Sequence, residues 1–461
     1  MRTRLLLLIL AAAVRGLVAL RTEVPARDGA TYLWMAERCA AGEPCALFAT
    51  VFHPLYAALT GAWLRWLPAG AATPELAAMA AGQWVACACA ALAVLPLHAL
   101  TERHFGARAA LAAGVLYALG AWFARHPAEC MSEGPFFLWV AGCAFGLTAA
   151  GPGAVGMPLL AGVLAGLAFL TRPEGAALAL LGAPWLWLRG ARAAALLCAG
   201  AAAAVACLLP LGAWLCGQGL VLTPKAGFVY ADGIGQPGVV PVLHYFTELG
   251  QTLLAAAEAV GFVALPLAVA GLWLRRPWSL RDPAALLAGL FALQVLVVPL
   301  LRSNLRFLAG YGMLLLPLAG LAWQRLAPLV APPRFVARLP LLFLAFLPDL
   351  MRLPQARGAE RVVERELGLH LRPQLRDGAR LATEMPRLHY FAGQRPGPPR
   401  EIRPEEVLAD ARGLATRFVA WVPLRTPLAS DALVALGYRP AVLPEPLARS
   451  IAARGILVYE R

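Results

Sequence analysis

The feature that most constrains this chain is its series of long apolar segments. A helix that crosses a bilayer needs roughly 17–25 mostly apolar residues, and about eleven stretches approach that requirement. They cover 4–20, 76–99, 108–124, 131–149, 157–170, 175–188, 193–215, 256–274, 283–301, 307–324 and 339–352. The stretches 157–170, 175–188 and 339–352 are short for a full crossing. In lipid every backbone polar group must be satisfied internally, which a helix does within one segment. The expected fold is therefore a polytopic α-helical membrane protein. Composition agrees: 14% of the 461 residues are charged and 60% are hydrophobic, whereas a soluble chain carries about a quarter charged.

The net charge of +14 does not point to nucleic acid. The arginines flank apolar runs and form no basic stripe with interleaved aromatics. They read as topology signals instead. With a cytoplasmic amino terminus, one side collects Arg2 and Arg4, Arg103 and Arg108, Arg189 and Arg192, Arg275, Arg276 and Arg281, then Arg325, Arg334 and Arg338. That side is cytoplasmic by the positive-inside rule. The opposite side receives the loop 21–75, residues 125–133, the turn 171–174, the loop 216–255, residues 302–306 and the carboxy-terminal tail. Residues 5–20 share a basic start and small residues with a signal peptide, but more spans follow, so an uncleaved first span is expected. The expected location is the bacterial cytoplasmic (inner) membrane, with the tail in the periplasm.

The loop after the first span is too long for a simple connection. Residues 28–41 read as a helix with Asp28 as N-cap. Residues 53–67 read as a second, interfacial helix, with Trp63 and Trp66 at headgroup depth. Residues 241–255 form a similar amphipathic stretch. The membrane domain is expected over 1–353. From 354 to 461 charges of both signs and prolines mark a small α/β domain, with strands near 381–382, 418–422 and 455–459 and helices near 361–369 and 430–436. No Gly-rich phosphate loop, nucleophile elbow or metal-ligand spacing is visible there. Of nine cysteines, Cys87, Cys89, Cys143, Cys198 and Cys207 lie in apolar runs as small apolar residues. Cys39 and Cys45 share the first outer loop, where a disulfide between them is open if that loop faces an oxidising compartment.

The candidate chemistry sits at span ends on the outer side. Asp28 follows the first span, where a base for an acceptor hydroxyl or amine is placed at headgroup depth; its bland reading is the helix cap. Glu133, with Ser132, opens the fourth span on the same side, and Glu129 is nearby. Two carboxylates facing one pocket can hold a metal or divide base and orienting roles, so a divalent metal on Asp28 and Glu133 stays open. Arg172 with Glu174 occupies a tight turn, and Arg302 and Arg306 precede a late span. Arginine suits a phosphate leaving group, against the bland reading of snorkelling. Lys225, the single lysine, is a weaker candidate of the same kind. His53 opens the second interfacial helix, close to Tyr56, while His126, His244 and His389 read as surface or turn residues.

Together these motifs resemble the membrane-embedded glycosyltransferases of the C-type (GT-C) fold, family 39. That family includes protein O-mannosyltransferases, aminoarabinose transferases and rhizobial lipopolysaccharide sugar transferases. The resemblance rests on Asp28 with Tyr32 after the first span, His53-Pro54-Leu55-Tyr56, Ser132-Glu133, residues 165–174 ending Leu170-Thr171-Arg172-Pro173-Glu174, and Arg306-Phe307 with Pro317. It covers about residues 1–330. It implies an inverting hexosyl- or pentosyltransferase with a polyprenyl-phosphate sugar donor and a lipid, glycan or protein acceptor at the outer face. By match, Asp28 is the base or acceptor-orienting acid with Glu133 as its catalytic partner, Arg306, Arg172 and His53 hold the donor phosphate, and Tyr32, Tyr56 and Glu174 border the pocket; Arg302 and Lys225 join that border by their outer-side placement alone. Two departures stand out: the family's paired acids appear here as Asp28-Gly29, and its double proline is the single Pro54. The alternative class is a transporter or lipid flippase of envelope glycan precursors, which places ionisable groups at mid-span.

Overall fold

The computed structural model describes residues 2–66, 73–151, 154–220, 240–275, 279–300, 305–330, 351, 361–375, 379–396, 404–413, 415–422 and 430–461. The stretch 339–350, Lys225, Arg276, Arg302, Arg334 and Arg338 lie outside the described residues.

Helices occupy the other ten apolar stretches. The first is α1 (Arg2–Leu20), and two short outer helices follow, α2 (Arg27–Ala40) and α3 (Leu55–Leu64). Next, α4 (Pro74–Leu92) runs into α5 (Val94–Phe105) as one span of 32 residues. Helices α6 (Ala107–Leu119) and α7 (Ala121–Ala128) meet at a 44° bend. Then come α8 (Glu133–Ala149), α9 (Gly156–Thr171) and α10 (Ala176–Leu188). A 24-residue span joins α11 (Arg192–Ala206) to α12 (Leu208–Leu215). Among the described residues five helices are long and apolar enough to cross a bilayer, or seven if each bent pair is one crossing.

The stretch 256–274 is not one straight span. It divides between α13 (Pro241–Val260) and α14 (Ala264–Leu274), which meet at 93°. Gly261 ends α13 with φ +108°, while its N–H still bonds the Ala257 carbonyl. That left-handed conformation suits glycine and stops the helix. The bundle closes with α15 (Pro283–Val297), α16 (Leu305–Gly312) and α17 (Leu316–Val330). Its core is rich in small residues. Ala11, Ala90, Ala109, Ala113, Ala144, Ala161 and Cys198 lie in one buried cluster. Small residues let helix backbones approach, which replaces the hydrophobic drive that lipid removes.

The outer helices α2 and α3 pack on each other through Tyr32, Met35, Ala36, Phe52, Tyr56 and Ala57. The second outer helix is shorter than the expected 53–67, and His53 lies ahead of it. Trp63 and Trp66 are exposed, as an interfacial position requires. Asp28 is not the cap of α2: Ala26 is, and it has no side chain that can make a capping bond. The Cys39–Cys45 pairing is corrected too. Cys45 bonds Cys216, with Cα atoms 5.3 Å apart, and Cys39 is free. Cys39 stays in the last turn of α2, where Arg65 donates to its carbonyl at 2.8 Å. The chain then turns away, and Phe48 packs on Gly212 of α12, which brings Cys45 to Cys216.

After residue 361 the chain builds a four-stranded sheet in the order β1-β2-β4-β3. The strands are β1 (Arg380–Thr383), β2 (Thr416–Trp421), β3 (Arg439–Pro440) and β4 (Leu457–Glu460). β1 and β2 are parallel, and the other pairs are antiparallel. Alternation along β2 sends Phe418 and Ala420 to one buried cluster and Val419 and Trp421 to another, the period of two that a strand covered on both faces requires. Helices α18 (Val362–Leu371) and α19 (Pro386–Phe391) precede and follow β1. Tyr390 and Phe391 of α19 pack against Ala30 and Leu33 of α2, so this unit rests on the outer helices.

Candidate functional site

At the end of the bundle where α2 begins, five charged side chains from four separate stretches form an alternating chain. Arg306 donates from Nη2 to Asp28 Oδ2 at 3.1 Å and from Nε to Glu133 Oε1 at 3.0 Å. Arg172 donates from Nη1 to the same Glu133 oxygen at 2.6 Å and from Nη2 to Glu174 Oε1 at 3.0 Å. The order is Asp28, Arg306, Glu133, Arg172, Glu174. Side-chain exposure falls from 16% at Asp28 and 21% at Arg306 to 1% at Glu133 and 3% at Arg172. The chain is open at the Asp28–Arg306 end and sealed at the other.

Local sequence explains each placement. Arg172 precedes Pro173, which disfavours the helical conformation for it. Its φ −155° and ψ 141° end α9 and start a short 3-10 turn, Pro173–Gly175. The guanidinium then lies 5.7 Å from the Phe136 ring centre and 5.6 Å from that of Phe307, favourable for a cation over aromatic faces. Tyr311 fixes the turn by donating to the Glu174 carbonyl at 2.7 Å. Glu133 is the first residue of α8, where a carboxylate suits the positive end of the helix. Asp28 lies in the first turn of α2, whose start is held by Ala26 N–H donating to the Glu129 carbonyl at 3.0 Å.

Gly29 explains why a second acid is missing beside Asp28. A Cβ there would stand 2.7 Å from the Glu129 carbonyl oxygen and 3.2 Å from that of Cys130. The close approach of α2 to the 129–130 turn leaves no room for a side chain.

Three other sequence-predicted residues, His53, Tyr32 and Tyr56, are buried away from the open end. His53 is buried, with Nδ1 2.5 Å from the Phe169 carbonyl and its ring edge-on to Phe169. Tyr32 is buried between Phe52 and Tyr56 and donates to Ser132 Oγ at 3.2 Å. Burial, above all, holds its phenol above the ordinary range. Tyr56 donates to the Gly82 carbonyl at 3.0 Å. His126 is no surface residue: it is buried, with its ring 4.9 Å from that of Trp122. Phe136 and Tyr311 were missed by sequence reasoning, and Phe307 was named only as part of the Arg306-Phe307 motif. Phe136 stands three residues after Glu133, on the same helix face, which is the signal that could have found it. Arg15 was missed as well. It is buried inside α1, bonded to the Ala11 and Tyr117 carbonyls and lying over the Tyr117 ring.

The donor set does not fit a divalent metal on Asp28 and Glu133. A guanidinium already bridges those two carboxylates, in the position such a cation would need. Among the described residues no group of three or more His, Cys, Asp or Glu is placed to hold an ion.

No protein-family model matches the sequence, and no curated protein matches it. Solved structures do. ArnT from Cupriavidus metallidurans bound to undecaprenyl phosphate is similar with a TM-score of 0.66 over 99% of this chain and 97% of that one, at 14% identity. The archaeal oligosaccharyltransferase AglB from Archaeoglobus fulgidus, in complex with an inhibitory peptide and a dolichol-phosphate, gives 0.63 over 94% and 71%, at 14% identity. The apo form of the Archaeoglobus fulgidus oligosaccharyltransferase gives 0.59 over 90% and 69%, at 15% identity. This chain has the GT-C fold. Its ionic chain stands at the end of the GT-C bundle where α2, α3 and the carboxy-terminal sheet unit gather.

Proposed function

We propose that this GT-C chain is an inverting glycosyltransferase of the family 39 type. It moves a sugar from a polyprenyl-phosphate donor to an acceptor at the outer face of the bacterial cytoplasmic membrane. The observation that carries the reading is the open end of the ionic chain, where Asp28 and Arg306 meet in an apolar bundle. A lipid phosphate needs an apolar track for its tail and a fixed cation for its headgroup. The similar ArnT and AglB structures hold undecaprenyl phosphate and a dolichol-phosphate, which supports a lipid-linked donor here. The Cys45–Cys216 disulfide supports an oxidising compartment on this side.

In the proposed reaction the acceptor hydroxyl or amine attacks the anomeric carbon while its proton passes to Asp28. The bond from that carbon to the phosphate oxygen breaks, and the electron pair leaves on the polyprenyl phosphate. Attack opposite the leaving group inverts the anomeric centre. Arg306 receives the charge that develops on the phosphate. Glu133, Arg172 and His53 take other roles than the sequence suggested. Glu133 is a positioning residue that aims Arg306, Arg172 anchors Glu133, and His53 holds α9 through the Phe169 carbonyl.

Asp28→Asn tests the assignment. In vesicles supplied with polyprenyl-phosphate sugar, the variant should insert normally and lose about a hundredfold or more in transfer rate, the scale of a general base. Undiminished transfer would remove Asp28 from the reaction. Arg15 is the buried mid-span charge a transporter reading would use, but carbonyls and the Tyr117 ring already hold it.

A further inference from the structure

At the other end of the bundle a pocket of about 530 Å³ opens between the starts of α1 and α6 and the end of α5. At 1.5 Å per residue, α1 alone carries Arg4 about 24 Å from Leu20 and the ionic chain beyond it. Thr3, Arg4, His98, Glu102, Ala107 and Arg108 are among its walls. We propose that this pocket is a second binding site, for a phosphate anion, independent of the site at Asp28.

Three independent features converge on it. His98 is 3% exposed, and its Nδ1 has no hydrogen-bond partner among the described residues. Glu102 Oε2 is 3.8 Å away, beyond hydrogen-bond reach. A buried ring nitrogen without a partner is costly, and His98 is one of the residues that line the pocket. The start of α6 also faces the pocket. Its N-cap is Gly106, which has no side chain to bond the first amides. Such free amides at a positive helix end favour an anion. The charge balance agrees. Arg4 is paired with Glu102 at 2.6 Å, while Arg108 is exposed and has no ion pair among the described residues. Two guanidinium groups against one carboxylate exclude a cation as the natural occupant. An anion there would accept from Arg108, from the first amides of α6 and from the His98 ring, and would share Arg4 with Glu102. The phosphate can belong to an anionic lipid headgroup of the adjacent leaflet or to free inorganic phosphate.

The test uses the full chain in nanodiscs of phosphatidylcholine, with phosphatidylglycerol added to the bilayer in one arm and inorganic phosphate added to the buffer in the other. The readout is the rise in Tm as ligand is titrated. At least one arm should stabilise the parent protein; a response to phosphatidylglycerol alone assigns a lipid headgroup, and a response to phosphate assigns the free anion. R108Q should need on the order of fivefold more ligand for the same rise, the scale of one arginine near an anionic surface. H98Q should weaken the response in the same direction. R103Q removes an exposed arginine of α5 that does not line the pocket and should leave the response unchanged. Absence of a Tm rise in both arms, or equal weakening by R103Q and R108Q, overturns the proposal.

Discussion

Arg172 and Arg306 both donate to Glu133, yet their substitutions should fail in different ways. Arg306 is at the open end, so Arg306→Ala should raise the donor KM roughly tenfold or more, the cost of one charge-assisted contact. Steady-state kinetics in vesicles check this, and an unchanged KM would make Arg306 structural. Arg172 is sealed in, and Arg172→Ala leaves Glu133 and Glu174 without their shared cation. Losing one partner of a buried pair costs about 3–5 kcal/mol, so that variant should show a lowered Tm in detergent before any kinetic effect is read. Gly29→Ala should cost about 1–3 kcal/mol as overpacking against the Glu129 carbonyl, measured the same way. Asp28, Glu133, Arg172 and Arg306 were legible because charges at the ends of apolar runs stand out against lipid. Their pairing was not: Asp28 and Arg306 are 278 positions apart. The expected N-cap role for Asp28 rested on local preference, but α2 starts at Arg27, which puts Asp28 inside the first turn, where it accepts from Arg306. The spacing also could not reveal that Gly29 faces a carbonyl.

Elements were more legible than their joints. Apolar length located the helices, since that length is set by the bilayer. The 93° turn between α13 and α14 escaped it, because an average over 256–274 hides the single positive-φ glycine at 261. The disulfide escaped for a related reason. Cys39 and Cys45 are close in sequence, but the end of α2 separates them, and the true partner of Cys45 comes from α12's end, 171 positions later. The bond ties the segment carrying His53 to the second outer loop. Cys45→Ser and Cys216→Ser should each cost about 2–5 kcal/mol, and the double variant should cost no more than either alone, read from thermal unfolding in detergent. Peptide mapping without reduction should recover a Cys45–Cys216 peptide with Cys39 alkylated. A Cys39–Cys45 peptide instead would refute the pairing.

At the scale of the molecule, the joint between the membrane bundle and the carboxy-terminal sheet unit should answer to pH. Tyr390 donates to Glu37 Oε1 at 2.9 Å and also lies 3.2 Å from the Glu75 carbonyl, while Arg372 pairs with the Glu75 carboxylate. One phenol proton cannot serve both acceptors fully. A protonated Glu37 resolves this by donating to the Tyr390 oxygen, which frees the phenol for Glu75. Burial, above all, pushes the Glu37 carboxyl up to about 7, with the Glu75 charge adding to it and the Tyr390 bond opposing it. The docked state therefore binds more protons than the undocked state between the ordinary carboxylate value, about 4.5, and about 7. Docking stability must fall as pH rises through that window and level off above it. The full swing is on the order of 3 kcal/mol at 1.36 kcal/mol per pKa unit. Hydrogen exchange of α2 and α19 amides as a function of pH measures it: protection should be greater at the acid end of the window. Glu37→Gln cannot ionise, so it should keep the Tyr390 bond and flatten the profile. A profile as steep in Glu37→Gln as in the parent would place the pH response elsewhere. The same joint carries α2, and Asp28 is in that helix's first turn, so transfer activity should follow the protection profile if the sheet unit steadies the open end of the ionic chain.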